Sequence, residues 1–236
     1  AEKYGICNDQ IFVGVGSDDV LSMAFLTFFN SDKPVLFPDI TYSFYDVWCD
    51  VYRIKYETKP LKIDFTIDVN DYLGENGGIV IPNPNAPTGV YESTDMFEVI
   101  LKTNPNSVVI VDEAYIDFGG ESCLKLIDKY ENLLVVQTFS KSRSMAGGRI
   151  GYAFGSKKLI KYLNDVKFSI NSYTMNWVTQ YAGAEAVKDD EYFNMTRNEI
   201  IKTREYSKEK LKELGFEFPK SMSNFIFAKH KTVDGK

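Results

Sequence analysis

Lys141 lies in the run Thr138-Phe139-Ser140-Lys141, after an apolar stretch, with Arg149 eight positions later across Gly147-Gly148. An amine so placed can attack a carbonyl and hold it as a Schiff base. Hydroxyls at Thr138 and Ser140, with a guanidinium that a glycine pair lets approach, suit a phosphate. Together these groups describe a phosphorylated aldehyde as ligand. Taken alone the signal is weak, since Ser-Lys is a common dipeptide and most surface lysines are only solvated.

Upstream, the β-branched run Ser107-Val108-Val109-Ile110-Val111 reads as a buried strand and ends in Asp112-Glu113-Ala114-Tyr115. In an open α/β sheet the ligand crevice lies beyond the carboxyl ends of the strands, which puts Asp112 where it can meet a ring nitrogen. A carboxylate there keeps a pyridinium protonated, and a protonated ring withdraws electrons from a substrate carbon. Tyr115 is suited to a ring hydroxyl. Each residue also has a plainer role open to it, Asp112 as a turn cap and Tyr115 as core. The conjunction with Lys141 selects pyridoxal 5'-phosphate as the cofactor.

Two further segments would complete such a site. Gly77-Gly78 opens the apolar strand Ile79-Val80-Ile81, which runs into Pro82-Asn83-Pro84-Asn85-Ala86-Pro87-Thr88-Gly89. Proline fixes its own φ and restricts the residue before it, so this loop presents side chains with little freedom to lose. Near the start, Ile11-Phe12-Val13 leads through Gly14-Val15-Gly16-Ser17-Asp18-Asp19 into a helical pattern from Val20 to Phe29. The first amides of a helix favour an anion, so Gly16, Ser17 and Asp18 are candidates for a phosphate. Asp18 also suits the N-cap, and both roles stay open.

In order and spacing, Gly16-Ser17-Asp18-Asp19, Thr41-Tyr42, Asn83 through Gly89, Asp112-Glu113-Ala114-Tyr115, and Ser140-Lys141 with Gly147-Gly148-Arg149-Ile150-Gly151 resemble the fold-type I pyridoxal-phosphate aminotransferases. Within that family they resemble the histidinol-phosphate branch. The resemblance makes Lys141 the Schiff-base lysine, Asp112 the partner of the pyridine nitrogen, Tyr115 a donor to the ring hydroxyl and Tyr42 the residue stacked on the ring. It gives Gly16, Ser17 and Asp18 to the phosphate, with a hydroxyl from Thr138 or Ser140 and a paired contact from Arg149. Two departures stand out. Many relatives have asparagine just before Pro-Thr-Gly, where this chain has Ala86, so Asn85 is expected to supply the amide instead. Asp19 stands where glutamate is common.

The resemblance further implies transamination in two half-reactions, with histidinol phosphate and 2-oxoglutarate giving imidazole acetol phosphate and glutamate in histidine biosynthesis. Partners would be small-molecule amines and keto acids, and the full-length protein a homodimer. Another class I or II aminotransferase, or a phosphoamino-acid decarboxylase, stays open. From a different class, so does a non-catalytic aminotransferase-like sensor domain that only binds the cofactor. The relatives continue past both ends of this chain, so it reads as a fragment, with a large cofactor-binding domain at 1–188 and the start of a small C-terminal domain at 189–236. Arg143, though near Lys141, is expected at the surface or an interface.

Composition is compatible with this reading and excludes others. The chain has 236 residues, 44% of them hydrophobic, enough for one sizeable core. A net charge of -6 argues against nucleic acid held by bulk electrostatics. Cys7, Cys49 and Cys123 lack metal or disulfide spacing, which favours a reducing cytoplasm and no metal. The single histidine, His230, sits in a polar stretch, and no nucleophile elbow accompanies it, so a serine hydrolase is set aside. No apolar span is long enough for a bilayer and the amino end lacks a signal-peptide pattern, so no membrane partner is expected.

These residues need a scaffold. Strands near Ile11, Val35, Ile54, Ile79, Val108, Leu133 and Tyr152 alternate with helical segments near Ser22, Tyr42, Asp95, Leu124 and Lys158, which predicts an α/β fold with a largely parallel sheet. The resemblance specifies it as the pyridoxal-phosphate transferase fold, an aspartate aminotransferase-like large domain with part of a small α/β domain. From Asp189 to Leu214 a charged helix is predicted, ended by Gly215, packing through Ile200, Ile201, Leu211 and Leu214 and supported by packing, not ion pairs. Strands are expected at 216–218 and 224–228.

Overall fold

The computed structural model describes residues 1–235. Seven strands, β1 (Ile11–Gly14), β2 (Val35–Pro38), β3 (Tyr56–Lys59), β4 (Gly78–Pro82), β5 (Val109–Asp112), β6 (Leu133–Thr138) and β7 (Gly151–Gly155), form one sheet in the order β1-β7-β6-β5-β4-β2-β3. Only β7 runs against the others, pairing antiparallel with both β1 and β6. The central strands β4, β5 and β6 are buried at every position, as their unbroken apolar runs require of parallel strands covered on both faces. At the edge, β3 carries the polar run Tyr-Glu-Thr-Lys and is mostly exposed.

Two cores lie on the two faces. On one, helices α1 (Ser17–Phe28), α2 (Tyr45–Tyr52) and α4 (Lys157–Ile170) pack Phe25, Trp48 and Leu163 against Val80, Ile110 and Leu134. On the other, α3 (Thr94–Thr103) brings Phe97, Ile100 and Leu101 onto Ile79, Val111 and Val135. Ser93 caps α3 by accepting from the Met96 amide, and Ser156 caps α4 by accepting from Leu159.

The alternation read from the sequence is present, with differences of detail. The segment near Leu124 is only a short 3-10 turn, Cys123–Leu126, with Ser122 as its cap and its first amide held by Glu113. A helix unanticipated from the pattern, α5 (Trp177–Lys188), precedes the long charged helix α6 (Asp190–Glu213). Gly215, at φ 85°, ends α6 as expected. Packing of α6 rests less on its apolar residues than predicted. Leu214 is exposed, while the one buried α6 residue is Arg204, which donates to the carbonyls of Phe118 and Ser223 at 3.0 and 2.8 Å. Ion pairs do line α6, at a spacing of three that the sequence pattern of like charges four apart does not register: Lys208 with Glu205 and Lys210 with Glu213.

Beyond α6, β8 (Phe216–Glu217) pairs with β9 (Lys229–His230). The strand expected at 224–228 does not form, because the Ser221 and Ser223 hydroxyls both donate to the Phe225 carbonyl and fold the segment on itself. His230 packs its ring on Phe216 at 4.9 Å rather than standing free.

Candidate active site

Because β7 alone is reversed, the carboxyl ends of β1, β4, β5 and β6 and the amino end of β7 meet at one edge of the sheet. That edge carries Gly16-Ser17-Asp18 after β1, the proline loop after β4, Asp112 ending β5, Ser140-Lys141 after β6 and Arg149 before β7. A single cup there is lined by Ser17, Asp18, Tyr42, Asp112, Tyr115, Ser140, Lys141 and Arg149, with Pro82, Pro84, Ala86 and Ala114 as its apolar wall. Residues more than a hundred positions apart in the chain thus face one small space.

Asp112 is the buried acid of the cup, 6% exposed. The fully buried Tyr45 phenol donates to one of its oxygens at 2.9 Å, and the Ala114 amide to the other at 3.2 Å. Burial raises the carboxyl from 3.8 to about 6, against the opposing pull of these two donors and of Lys141. A cation placed at the carboxylate would bring it back down. Lys141 Nζ stands 5.2 Å from the centre of the Tyr115 ring, and Phe225 meets Tyr115 edge-on at 4.9 Å. Tyr42 is held by its hydroxyl, which donates to Asp18 at 2.9 Å; burial and that bond raise its pKa.

At the opposite end, α1 begins with no side chain capping its first turn. Asp19, not Asp18, ties the loop before it, accepting from the Val15 amide at 2.8 Å. The free amides therefore point into the cup with the positive end of the helix dipole. Arg149 reaches over them, 3.5 Å from the Ser140 hydroxyl and 3.9 Å from the Asp18 carboxylate. Gly16 makes this possible. Its φ is 94°, and a Cβ built on it would lie 2.5 Å from the Arg149 guanidinium.

Three residues stand elsewhere than the sequence suggested. Asn85 is buried behind the loop, its amide committed to the Ile40 carbonyl at 2.9 Å and the Thr88 hydroxyl at 3.0 Å, so only the Ala86 methyl faces the cup. Thr138 is likewise turned inward, donating to the Ile150 carbonyl and accepting from the Ser140 amide; Ser140 is the hydroxyl that lines the cup. Arg143 is no surface residue, being 8% exposed, bonded to the Ala186 carbonyl at 2.8 Å and set over the Phe193 ring at 4.4 Å. Roles for Tyr45 and Glu113 escaped the sequence reading altogether. A tyrosine three positions after Tyr42 and an acid adjoining Asp112 were the available signals.

The family model for aminotransferase class I and II matches residues 1–234. Among curated proteins, the histidinol-phosphate aminotransferase of Lactococcus lactis subsp. cremoris (strain SK11) is 53% identical over 234 residues, covering 99% of this chain and 66% of the relative. The chain thus spans just under two thirds of that relative's length. Among solved structures, the histidinol-phosphate aminotransferase from Clostridium acetobutylicum superposes with a TM-score of 0.90 at 23% identity, over 99% of this chain and 71% of that one. The Sinorhizobium meliloti histidinol-phosphate aminotransferase, in complex with pyridoxal-5'-phosphate, superposes at 0.89 with 20% identity, over 98% and 64%.

Proposed function

The chain belongs to the aminotransferase class I and II family, and on that premise we propose that the whole protein transaminates histidinol phosphate with 2-oxoglutarate, using pyridoxal 5'-phosphate. The observation that carries the substrate is the 53% identity to the Lactococcus lactis enzyme along nearly the whole chain. The residues present fit the cofactor. One end of the cup has a buried carboxylate for a cationic ring nitrogen, the other an uncapped helix start, a hydroxyl and a guanidinium for a phosphate dianion, and an amine stands between.

When bound, the cofactor supplies an electron sink for charge developing at the substrate Cα. Asp112 would keep the ring nitrogen protonated, and Tyr45 and the Ala114 amide hold that carboxylate in place. Tyr42, which lines the cup, would cover the ring, and Ser17, Asp18, Ser140 and Arg149 would hold the phosphate through backbone amides, a hydroxyl and a charged fork. Lys141 Nζ would take up the proton removed from the substrate Cα and deliver it elsewhere within the site, not back to Cα.

Residues 1–188 form the cofactor-binding domain in this reading, and 189–236 begin a second one. A homodimer is supported by the exposed aromatic face of Tyr173, Trp177 and Tyr181 beside a groove of about 1400 Å³. Among the described residues no helix is long and apolar enough to cross a membrane, and the three cysteines are free, as a cytoplasmic protein would have them.

The test is an absorbance titration of the full-length protein and its Lys141→Ala variant with pyridoxal 5'-phosphate. Histidinol phosphate is then added, followed by 2-oxoglutarate. A visible band that requires Lys141, fades with the amine and returns with the oxo acid is expected. A band that ignores histidinol phosphate, or carbon dioxide released from a phosphoamino acid instead, would overturn the substrate assignment.

A further inference from the structure

Glu113 is an acid the proposed chemistry does not use. It is 1% exposed and directly follows Asp112 at the end of β5. Three donors converge on its carboxylate: the Ser122 hydroxyl at 2.6 Å, the Cys123 amide at 2.7 Å and the Gln137 side-chain amide at 2.8 Å. Its own amide donates to the Val136 carbonyl at 2.7 Å. The ionised Glu113 carboxylate, which only accepts, keeps the Gln137 NH2 turned toward it, while the Gln137 carbonyl oxygen accepts from the Tyr152 hydroxyl at 2.9 Å. A buried carboxylate is costly, and burial raises Glu113 to about 7 in spite of its donors.

The donors come from segments that each carry part of the cup. Gln137 lies four positions before Lys141 on the strand that delivers it. Ser122 and Cys123 close the loop that holds Tyr115, and the same loop reaches back to the lysine turn through the bond from Ser142 to Asp117. Tyr152 stands on β7, directly after the turn from Arg149. A packed hydrocarbon could fill this space, but it would not fix the relative height of four chain segments. Directional bonds converging on one carboxyl group do.

Resting on the cofactor reading above, we propose that Glu113 is a positioning residue, a buried strut that through Gln137, Ser122 and Cys123 sets Asp112, Tyr115 and Lys141 at the spacing the cofactor needs. It touches neither cofactor nor substrate. Glu113→Gln puts an NH2 where an acceptor stood, facing the donors of Ser122 or Gln137. The exchange Glu113→Gln/Gln137→Glu restores one donor and one acceptor across the same gap, and the carboxylate it introduces on β6 still accepts from the Tyr152 hydroxyl.

The experiment uses the full-length protein and measures the Kd for pyridoxal 5'-phosphate by absorbance titration, kcat and KM, and the thermal midpoint of the cofactor-free form. Glu113→Gln is expected to raise the Kd about tenfold or more and to lower kcat with KM for the amine little changed. The exchange variant should recover most of the affinity. Ser122→Ala, a mild change in a half-buried loop, should weaken binding in the same direction by a smaller factor. A lowered thermal midpoint with unchanged Kd and kcat would overturn the proposal, leaving Glu113 a stabilising residue only. Should Glu113→Gln not fold, unchanged affinity in Ser122→Ala would overturn it equally. Absence of binding by the unaltered protein would instead sink the cofactor reading, so the two failures are told apart.

Discussion

Replacing Tyr45 by phenylalanine removes a single oxygen, and the structure says where the effect appears. That oxygen donates to Asp112 at 2.9 Å, and both groups are buried. A hydrogen bond to a charged group is worth about 1.5–3 kcal/mol, and one pKa unit corresponds to about 1.4 kcal/mol, so losing it should raise Asp112 by roughly one to two units. The starting point is already high, about 6 against an ordinary 3.8, because burial outweighs the donors. The folded, cofactor-free protein therefore holds this proton more tightly than the unfolded chain. Its contribution to stability is full below 3.8, declines as pH rises to about 6 and is level above that. In the variant the decline continues to higher pH by the size of the shift. The assay is a 13C NMR titration of the aspartate carboxyls in the cofactor-free protein, with Asp112→Asn to assign the signal, together with denaturant midpoints across the same pH range. A Tyr45→Phe protein whose Asp112 titrates at or below the unaltered midpoint would refute the reasoning. At pH 8 the same variant should bind cofactor several-fold less tightly, since the carboxylate that pairs the ring is then less firmly held.

Arg149→Lys keeps the charge and loses the planar fork, so cofactor affinity should fall roughly tenfold, read as a Kd by absorbance titration; binding within a factor of two would mean the fork is not used. Arg143→Ala should leave cofactor affinity alone and cost about 2–3 kcal/mol of stability, since it empties the space over Phe193 and strands the Ala186 carbonyl. A urea midpoint shifted by less than a third of that expectation would show the buried guanidinium to be dispensable.

The grouping of the chemistry was readable from the residues because each acid, lysine or arginine directly follows or precedes an apolar run, and an α/β sheet sends all such junctions to one edge. What could not be read was direction of side chains within a junction. Asn85 and Ala86 are neighbours, and which one faces the cup depends on how the loop between two prolines turns. Thr138 and Ser140 both offer hydroxyls near Lys141, but Thr138 still belongs to β6 and its hydroxyl is taken by the Ile150 carbonyl. Tyr45 was hidden because its partner lies 67 positions away, beyond any local pattern. Arg143 shows the same limit in reverse, since a charged side chain reads as surface until the aromatic ring that covers it is known. The segment after α6 failed as a strand for a local reason, two serines competing for one carbonyl, which strand propensity does not register.

The reversed strand β7 also sets an order of events during synthesis. Among the described residues β1 has no sheet partner except β7, and Gly151 sits so near Gly16 that a Cβ on it would lie 2.1 Å from the Gly16 carbonyl carbon. A chain made from its amino end leaves the backbone of β1 without its sheet partner until residues 151–155 have been added. Pairing across so long a separation is slow and comes late. The phosphate end of the cup, which needs Gly16, Ser17 and Arg149 side by side, thus cannot be assembled before β7 is in place.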